Sequence, residues 1–226
     1  MFFEKNVNTR SYNWLMPHIC MRQVKRLAPL IGGRVLDVGC GRKPYAKIIG
    51  PRCEWYIGMD HLRSLHGMVE VDVAGDALAL PFPDAAFDWV VAFQVMEHLP
   101  EPLLFLAEVR RVLKPGGGAL ITTPFMWGEH EEPHDFYRFT RHGLRYLTEK
   151  AGFEVQSIEA DSGFWAMAIL RFNYWLIRFA RGPLKLVAAP LVRLDQYLAM
   201  ALDRFRGDYT TDTATFTTVL RKPACR

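Results

Sequence analysis

Arg34-Val-Leu-Asp-Val-Gly39-Cys-Gly41, followed by Glu54-Trp-Tyr-Ile-Gly-Met-Asp60, is the stretch that decides how this chain folds. The first run reads as a buried strand ending on glycines, which let backbone approach a ligand where a Cβ would obstruct it. The second reads as another strand ending on a carboxylate, about twenty residues beyond the first glycine, the distance at which an acid can hold two ribose hydroxyls. That is the layout of a nucleotide pocket. A dinucleotide site would place a third glycine near position 44, where this chain has Pro44, and would not carry Asp37 two residues before the first glycine. Both departures point away from a nicotinamide cofactor.

Working outward, the next blocks are Gly75-Asp-Ala-Leu-Ala-Leu-Pro-Phe82, Phe87-Asp-Trp-Val-Val91, Glu97-His-Leu99 and Arg111-Val-Leu-Lys-Pro-Gly-Gly117. With Val35 to Gly41 and Asp60, they resemble the motifs of class I S-adenosylmethionine-dependent methyltransferases, in that family's order and usual spacing, over roughly residues 30 to 160. The resemblance implies S-adenosylmethionine as cofactor. Its chemistry suits the residues, because the ligand carries a sulfonium, an ammonium, a ribose diol and an adenine. Asp37 is placed to orient the glycine turn and the ammonium, and Gly39, Cys40 and Gly41 form that turn. Asp60 can accept both ribose hydroxyls in charge-assisted bonds, with His61 beside it. Asp76, Ala77 and Leu78 resemble the family's adenine-edge contact, and Gln94 completes the cofactor-binding set. Any one of these aspartates alone would read as an ordinary turn residue.

The expected architecture is α/β, a doubly wound Rossmann-like sheet of about seven strands with helices on both faces and a helical insert before the last strand. Tyr12 to Leu30 reads as a helix, or a pair broken by Pro17, and family members use such helices as a lid. Strands are expected at Arg34 to Val38, Trp89 to Phe93, Ala119 to Thr123, Phe153 to Ile158 and Ala214 to Arg221. Helices are expected at Lys43 to Ile49, Pro102 to Leu113 and Thr140 to Ala151. The resulting division is a lid at 1–30, a core at 31–161 with 210–224, and an insert at 162–209.

Half of the 226 residues are hydrophobic, enough to bury one α/β core. The four cysteines, Cys20, Cys40, Cys53 and Cys225, have no paired metal-ligand spacing, and Phe2 and Phe3 give way at once to Glu4-Lys-Asn-Val-Asn, unlike a secretion leader. A cytoplasmic setting is expected, with peripheral membrane contact left open by the insert. Residues 162 to 206 carry seven basic side chains against Asp195 and Asp203, a net +5, while the whole chain is +4. The insert is also rich in aromatics, Phe164, Trp165, Phe172, Tyr174, Trp175 and Phe179, and Arg171, Arg178 and Lys185 recur every seven residues. Such a pattern fits an interfacial amphipathic helix, and equally a hairpin that packs on the sheet or on a second subunit. The basic residues alternate with large aliphatics, so no nucleic-acid partner is expected.

His130-Glu-Glu-Pro-His134 matches the zinc-protease string, but Pro133 disfavours the continuous helix that string requires. None of Ser11, Ser64, Ser157 or Ser162 sits in a nucleophile elbow. Methyl transfer asks the protein to position an acceptor, exclude water and remove a proton when the acceptor is a hydroxyl. His134 is the first candidate for that base and His98 the second, with Asp135 or Glu97 as orienting partners; an edge histidine can equally cap a helix or bond backbone. Some methyltransferases hold a divalent cation through Glu-x-x-Glu-His, for which this chain offers Gln94, Glu97 and His98, and with a neutral amide at the first place no obligatory metal is expected. The expected acceptor is a small or amphipathic molecule methylated at oxygen, such as a sugar, a lipid-linked glycan, a quinone or another metabolite. A non-catalytic subunit that keeps the fold, and a nicotinamide oxidoreductase, are the alternatives.

Overall fold

A computed structural model describes residues 14–176, 178–179, 184–206 and 211–224, with the side chains of 184–189 and 206 outside the description. Seven strands, β1 (Gly33–Val38), β2 (Cys53–Asp60), β3 (Val73–Ala74), β4 (Phe87–Phe93), β5 (Leu113–Pro124), β6 (Glu154–Ala160) and β7 (Thr215–Arg221), form one sheet in the order β3-β2-β1-β4-β5-β7-β6. The pairs from β3 to β5 are parallel, and β7 runs antiparallel between β5 and β6. Chain order reverses between β1 and β4, so the crevice beyond their carboxyl ends is where an open α/β sheet binds its ligand.

Both faces of the sheet are covered, as its parallel strands require. Leu36, Val38, Val90, Ala92 and Ile121 point to one side, where Phe105, Leu106, Val109 and Val112 of α3 (Pro102–Val112) and Leu144 of α4 (Arg141–Lys150) cover them. Val35, Val91 and Leu120 alternate to the other side, against Val24 and Leu27 of α1 (Leu15–Leu27) and Ile49 of α2 (Ala46–Ile49).

Pro17 does not break the first helix. It is the third residue of α1, where a backbone N–H has no partner within the helix, so the missing donor costs little. The helix expected over Lys43 to Ile49 shrinks to four residues, because Lys43 takes φ 47° and its N–H closes a turn onto the Cys40 carbonyl.

The insert between β6 and β7 is a pair of helices, α5 (Phe164–Leu176) and α6 (Leu184–Arg206). Ala166, Leu170 and Ala199 bury one side of the pair against Trp14, Leu15 and Ile19. Gln196 accepts from the Leu15 N–H at 3.0 Å, joining α6 to α1. Asp161 extends the joint, accepting from Gln23 at 2.9 Å and from the Thr215 and Thr217 hydroxyls at 2.8 Å. The opposite side leaves Phe172, Trp175, Phe179, Leu191, Leu194 and Leu198 exposed. The stripe of Arg171, Arg178 and Lys185 expected on one helix is not continuous, since α5 stops at Leu176 and the Lys185 position belongs to α6. The Lys185 side chain lies outside the described ones. No described helix is long and apolar enough to cross a membrane. Of the four cysteines, Cys20, Cys40 and Cys53 are free thiols and Cys225 is outside the described residues.

Candidate active site

The turn after β1 is built around two buried aspartates. Gly39 (φ 66°) and Gly41 (φ 51°) adopt left-handed backbone, and a Cβ on Gly39 would stand 2.4 Å from the Val95 side chain. Asp60, at the end of β2, accepts from Gly41 N–H at 2.8 Å, His61 N–H at 2.7 Å and the Ser64 hydroxyl at 3.1 Å. Those bonds hold the glycine turn and the chain after β2 on one carboxylate. Lys43 bonds Asp72 at 2.5 Å, and Asp72 accepts from Gly58 N–H at 2.7 Å, which pins the turn to β2. Cys40 is buried in the turn, and burial pushes its thiol up to about 12, so it is no nucleophile.

Asp37 is 1% exposed. Its Oδ2 accepts from the Tyr56 hydroxyl at 2.5 Å, while Oδ1 is buried with no hydrogen-bond partner among the described residues. Burial raises this carboxyl to about 7, with the Tyr56 bond pulling the other way. Asp76 is exposed, and its Oδ1 accepts from Leu78 N–H at 2.8 Å, placing Ala77 and Leu78 beside it. Gln94 takes φ 56° and its side-chain amide donates to the Thr122 hydroxyl at 3.1 Å, tying it to β5.

Beyond β4, Glu97 is fully buried, and neither carboxylate oxygen has a hydrogen-bond partner among the described residues. Burial raises its carboxyl to about 8. His98 Nε2 lies 3.8 Å from Glu97 and 3.9 Å from Glu131, and the His98 and His130 rings meet edge to face at 5.0 Å. The loop bearing His130 is stitched to this place by Phe136 N–H donating to the Glu97 carbonyl at 2.9 Å. Asp135 anchors the loop, accepting twice from Arg138 at 2.7 and 2.6 Å and from His130 N–H at 2.8 Å. Burial acts to raise the Asp135 carboxyl, but these bonds hold it down at about 2. His66, whose ring faces Gly41, pairs with Glu131 at 3.6 Å, so one chain of side chains runs from the glycine turn to His98. The His130 to His134 segment is not helical, as Pro133 implied. The His134 ring is exposed, and its contribution to the cluster is a backbone carbonyl 2.7 Å from His98 Nδ1.

The profile of a family described as a methyltransferase domain matches residues 12–158. This chain belongs to the class I S-adenosylmethionine-dependent methyltransferases. It is 37% identical over 157 residues to a probable S-adenosylmethionine-dependent methyltransferase of Mycolicibacterium smegmatis, covering 63% of this chain and 60% of that protein. It is 34% identical over 123 residues to the ubiquinone/menaquinone biosynthesis C-methyltransferase UbiE of Burkholderia mallei, covering 48% of this chain and 50% of that protein. The chain thus spans about half to three fifths of the length of these relatives. The solved structure of the cyclase SpnF superposes with a TM-score of 0.61 at 24% identity, over 90% of this chain and 82% of that one, a likeness of fold alone.

The cofactor of this family is S-adenosylmethionine, and the residues present fit it. The unpartnered, buried Asp37 Oδ1 suits an ammonium, and the Gly39–Gly41 backbone is bare where a Cβ would intrude. Tyr56, Ser64 and Val95 support this pocket without having been singled out in the sequence, because nothing in a polar or apolar residue's own neighbourhood marks it as a partner across strands. Glu131 and His130 were visible only as part of a protease-like string. Their role as neighbours of Glu97 depends on β4 and β5 lying side by side, with Phe93 opposite Thr122.

Proposed function

We propose that this chain transfers a methyl group from S-adenosylmethionine to a hydroxyl oxygen of an amphipathic acceptor. The observation that carries the reading is the buried, unpartnered Glu97 beside His98 and His130, next to the glycine turn at the carboxyl edge of the sheet. S-adenosylmethionine, when bound, supplies an electrophilic methyl group. The chain has to hold the hydroxyl in line, keep water out and take its proton as the new O–C bond forms. His98 Nδ1–H donates to the His134 carbonyl, which leaves the Nε2 lone pair on the side of the Glu97 carboxyl and the Glu131 carboxylate, ready to accept that proton.

Amphipathic character is supported by the insert. Trp127, three residues before His130 of the loop, packs edge to face on Tyr174 of α5 at 5.1 Å, so α5 flanks the acceptor side. The exposed Phe172, Trp175 and Phe179, within a segment carrying +5, suit contact with an anionic lipid surface holding the acceptor's apolar part.

The test is to follow adenosylhomocysteine formation with lipid-linked sugars, free sugars and quinols, using a ¹³C-methyl donor so that NMR separates O-methyl from C-methyl product. Turnover confined to hydroxylated, lipid-bearing acceptors with an O-methyl product supports the reading. A C-methyl product on a quinol ring would replace it with the chemistry named for UbiE, and cofactor binding without turnover would favour a non-catalytic subunit.

A further inference from the structure

We infer that the carboxyl edge of the sheet docks on an anionic lipid bilayer at two places, the loop after β2 and the α5–α6 insert, so that the crevice between them opens toward the membrane. Such docking deepens the amphipathic-acceptor reading above and rests on it for its purpose, whereas the lipid contact itself does not. β2 is parallel to β1, β1 to β4 and β4 to β5, while β5 and β6 each run antiparallel to β7, so β2 and β6 both leave the sheet at the same edge. Five strand spacings separate them in the sheet order, about 24 Å, and the glycine turn, Glu97 and His98 follow strands that lie between.

Leu62, Leu65 and Val69 of the loop after β2 are 73%, 76% and 96% exposed. A single exposed leucine needs no account, but three large apolar side chains within eight residues mark a contact surface. The loop is held in place from its inner side. His61 N–H and the Ser64 hydroxyl donate to Asp60, Arg42 donates to the His66 carbonyl at 3.3 Å, and His66 pairs with Glu131. The bonds that build the glycine turn therefore also fix the loop whose leucines face outward. Residues 61–69 contain no acid, and Arg63 within them and Arg42 beside them are exposed.

On the other flank, the exposed Leu191, Leu194 and Leu198 recur along α6 at spacings of three and four, which puts them on one face, and Trp175 meets Phe179 at 4.9 Å beside them in the insert. Both acids of the insert turn inward, Asp203 to the start of α5 and Asp195 to Asn173 at 3.0 Å. The exposed charged side chains described in it are then Arg171, Arg178 and Arg204. Apolar side chains bordered by cations alone match the layering of an anionic bilayer, phosphate over acyl chain. A second copy related by a two-fold axis would bring the same arginines to the same patch. Between the two contacts the loop after β5 exposes Glu129 and Glu132, and like charge holds that loop off the phosphates. The flanks touch lipid, the crevice over His98 stays open, and an acceptor whose tail lies in the bilayer presents its hydroxyl there without leaving it.

The experiment floats the whole chain with vesicles of equal parts phosphatidylglycerol and phosphatidylcholine. Wild type should rise with them, less so as salt is raised, and far less with phosphatidylcholine alone. Leu65→Glu with Val69→Glu, and separately Phe172→Glu with Trp175→Glu, should each weaken vesicle binding at least tenfold. All of these positions are exposed, and adenosylhomocysteine affinity within about twofold of wild type shows that each variant is folded. A loop variant that floats like wild type, or equal flotation on phosphatidylcholine alone, overturns the two-point contact with an anionic surface. Wild type that does not float but self-associates in sedimentation velocity, with both variants monomeric, assigns the patches to a second copy instead. Methyl transfer to a soluble acceptor by a wild type that does not float sinks the docking and keeps the reading above. Flotation without methyl transfer to any acceptor does the reverse.

Discussion

His134 holds the His98 ring by its backbone carbonyl, 2.7 Å from Nδ1, while its own imidazole faces solvent. On the proposed methyl-transfer reading, His134 acts through its backbone carbonyl as a positioning residue and His98 serves as the base. A carbonyl survives side-chain truncation. His134→Ala should keep kcat within about threefold of wild type, whereas His98→Ala should lose on the order of 100-fold, the usual scale for a positioned proton acceptor. Steady-state rates with any acceptor that turns over decide this, and the opposite ranking would return the role to His134.

Asp37 couples cofactor binding to pH. Burial holds its carboxyl up at about 7 in the free protein, and a protonated acid cannot pair with the ligand's ammonium. Adenosylhomocysteine affinity should rise by about tenfold per pH unit up to pH 7 and level off above it. The stability sign is the reverse. Because the folded value lies above the unfolded one, about 3.9, the contribution of Asp37 is fully present below that unfolded value and is lost as pH rises through 7. Asp37→Asn should flatten the affinity profile and remove that share of the loss of Tm between about pH 4 and pH 7; a wild-type affinity that does not change between pH 5.5 and 7.5 would refute the coupling.

Asp60 and Asp76 should separate by whether stability follows affinity. Asp60 carries three bonds from the chain itself, two of them to turn N–H groups, so Asp60→Ala removes charged bonds worth roughly 1.5–3 kcal/mol each. Both Tm and adenosylhomocysteine affinity should drop, the latter at least tenfold. Asp76 is exposed and its side chain bonds only Leu78 N–H among the described residues, while its backbone bond from Ala79 N–H survives truncation, so Asp76→Ala should weaken binding with Tm nearly unchanged. Calorimetric titration beside thermal unfolding tests the pair, and parallel losses in both variants would show that Asp76 is structural.

The sheet was legible in the sequence because burial on both faces writes Val90 to Ala92 as a continuous apolar run and Val35 to Val38 as one interrupted only by Asp37, and the glycine turn because its backbone needs residues without a Cβ. Lengths were less legible. Lys114-Pro-Gly-Gly reads as a helix terminator, yet β5 already begins at Leu113, since Gly116 and Gly117 pair with Lys222 near the far end of the chain. The Glu97, His98 and His130 cluster was least legible. It joins two loops through contacts such as Phe136 N–H to the Glu97 carbonyl, and no local spacing encodes a meeting that adjacent strands bring about.

The insert gives the sharpest test of how the additions to the core are anchored. Asp203, on α6, accepts from Gly163, Trp165 and Ala166 N–H at 3.1, 2.9 and 3.1 Å, capping the start of α5 from a residue forty positions away. These are the donors that a helix N-terminus leaves without partners inside the helix. An acid there also meets the positive end of the helix dipole. Asp203→Ala strands N–H groups of which Gly163 and Ala166 belong to buried residues, a loss of about 2–3 kcal/mol for cap and desolvation together. For a chain of this size that lowers Tm by about 5–10 °C. Hydrogen exchange should quicken in α5 and in the α1 segment packed on it, while β1, β4 and β5 keep their protection and adenosylhomocysteine binds as before. Exchange that quickens equally across the central strands would mean that the insert and the sheet unfold as one unit, with the joint through Asp161 and Gln196 binding them together more firmly than the cap does.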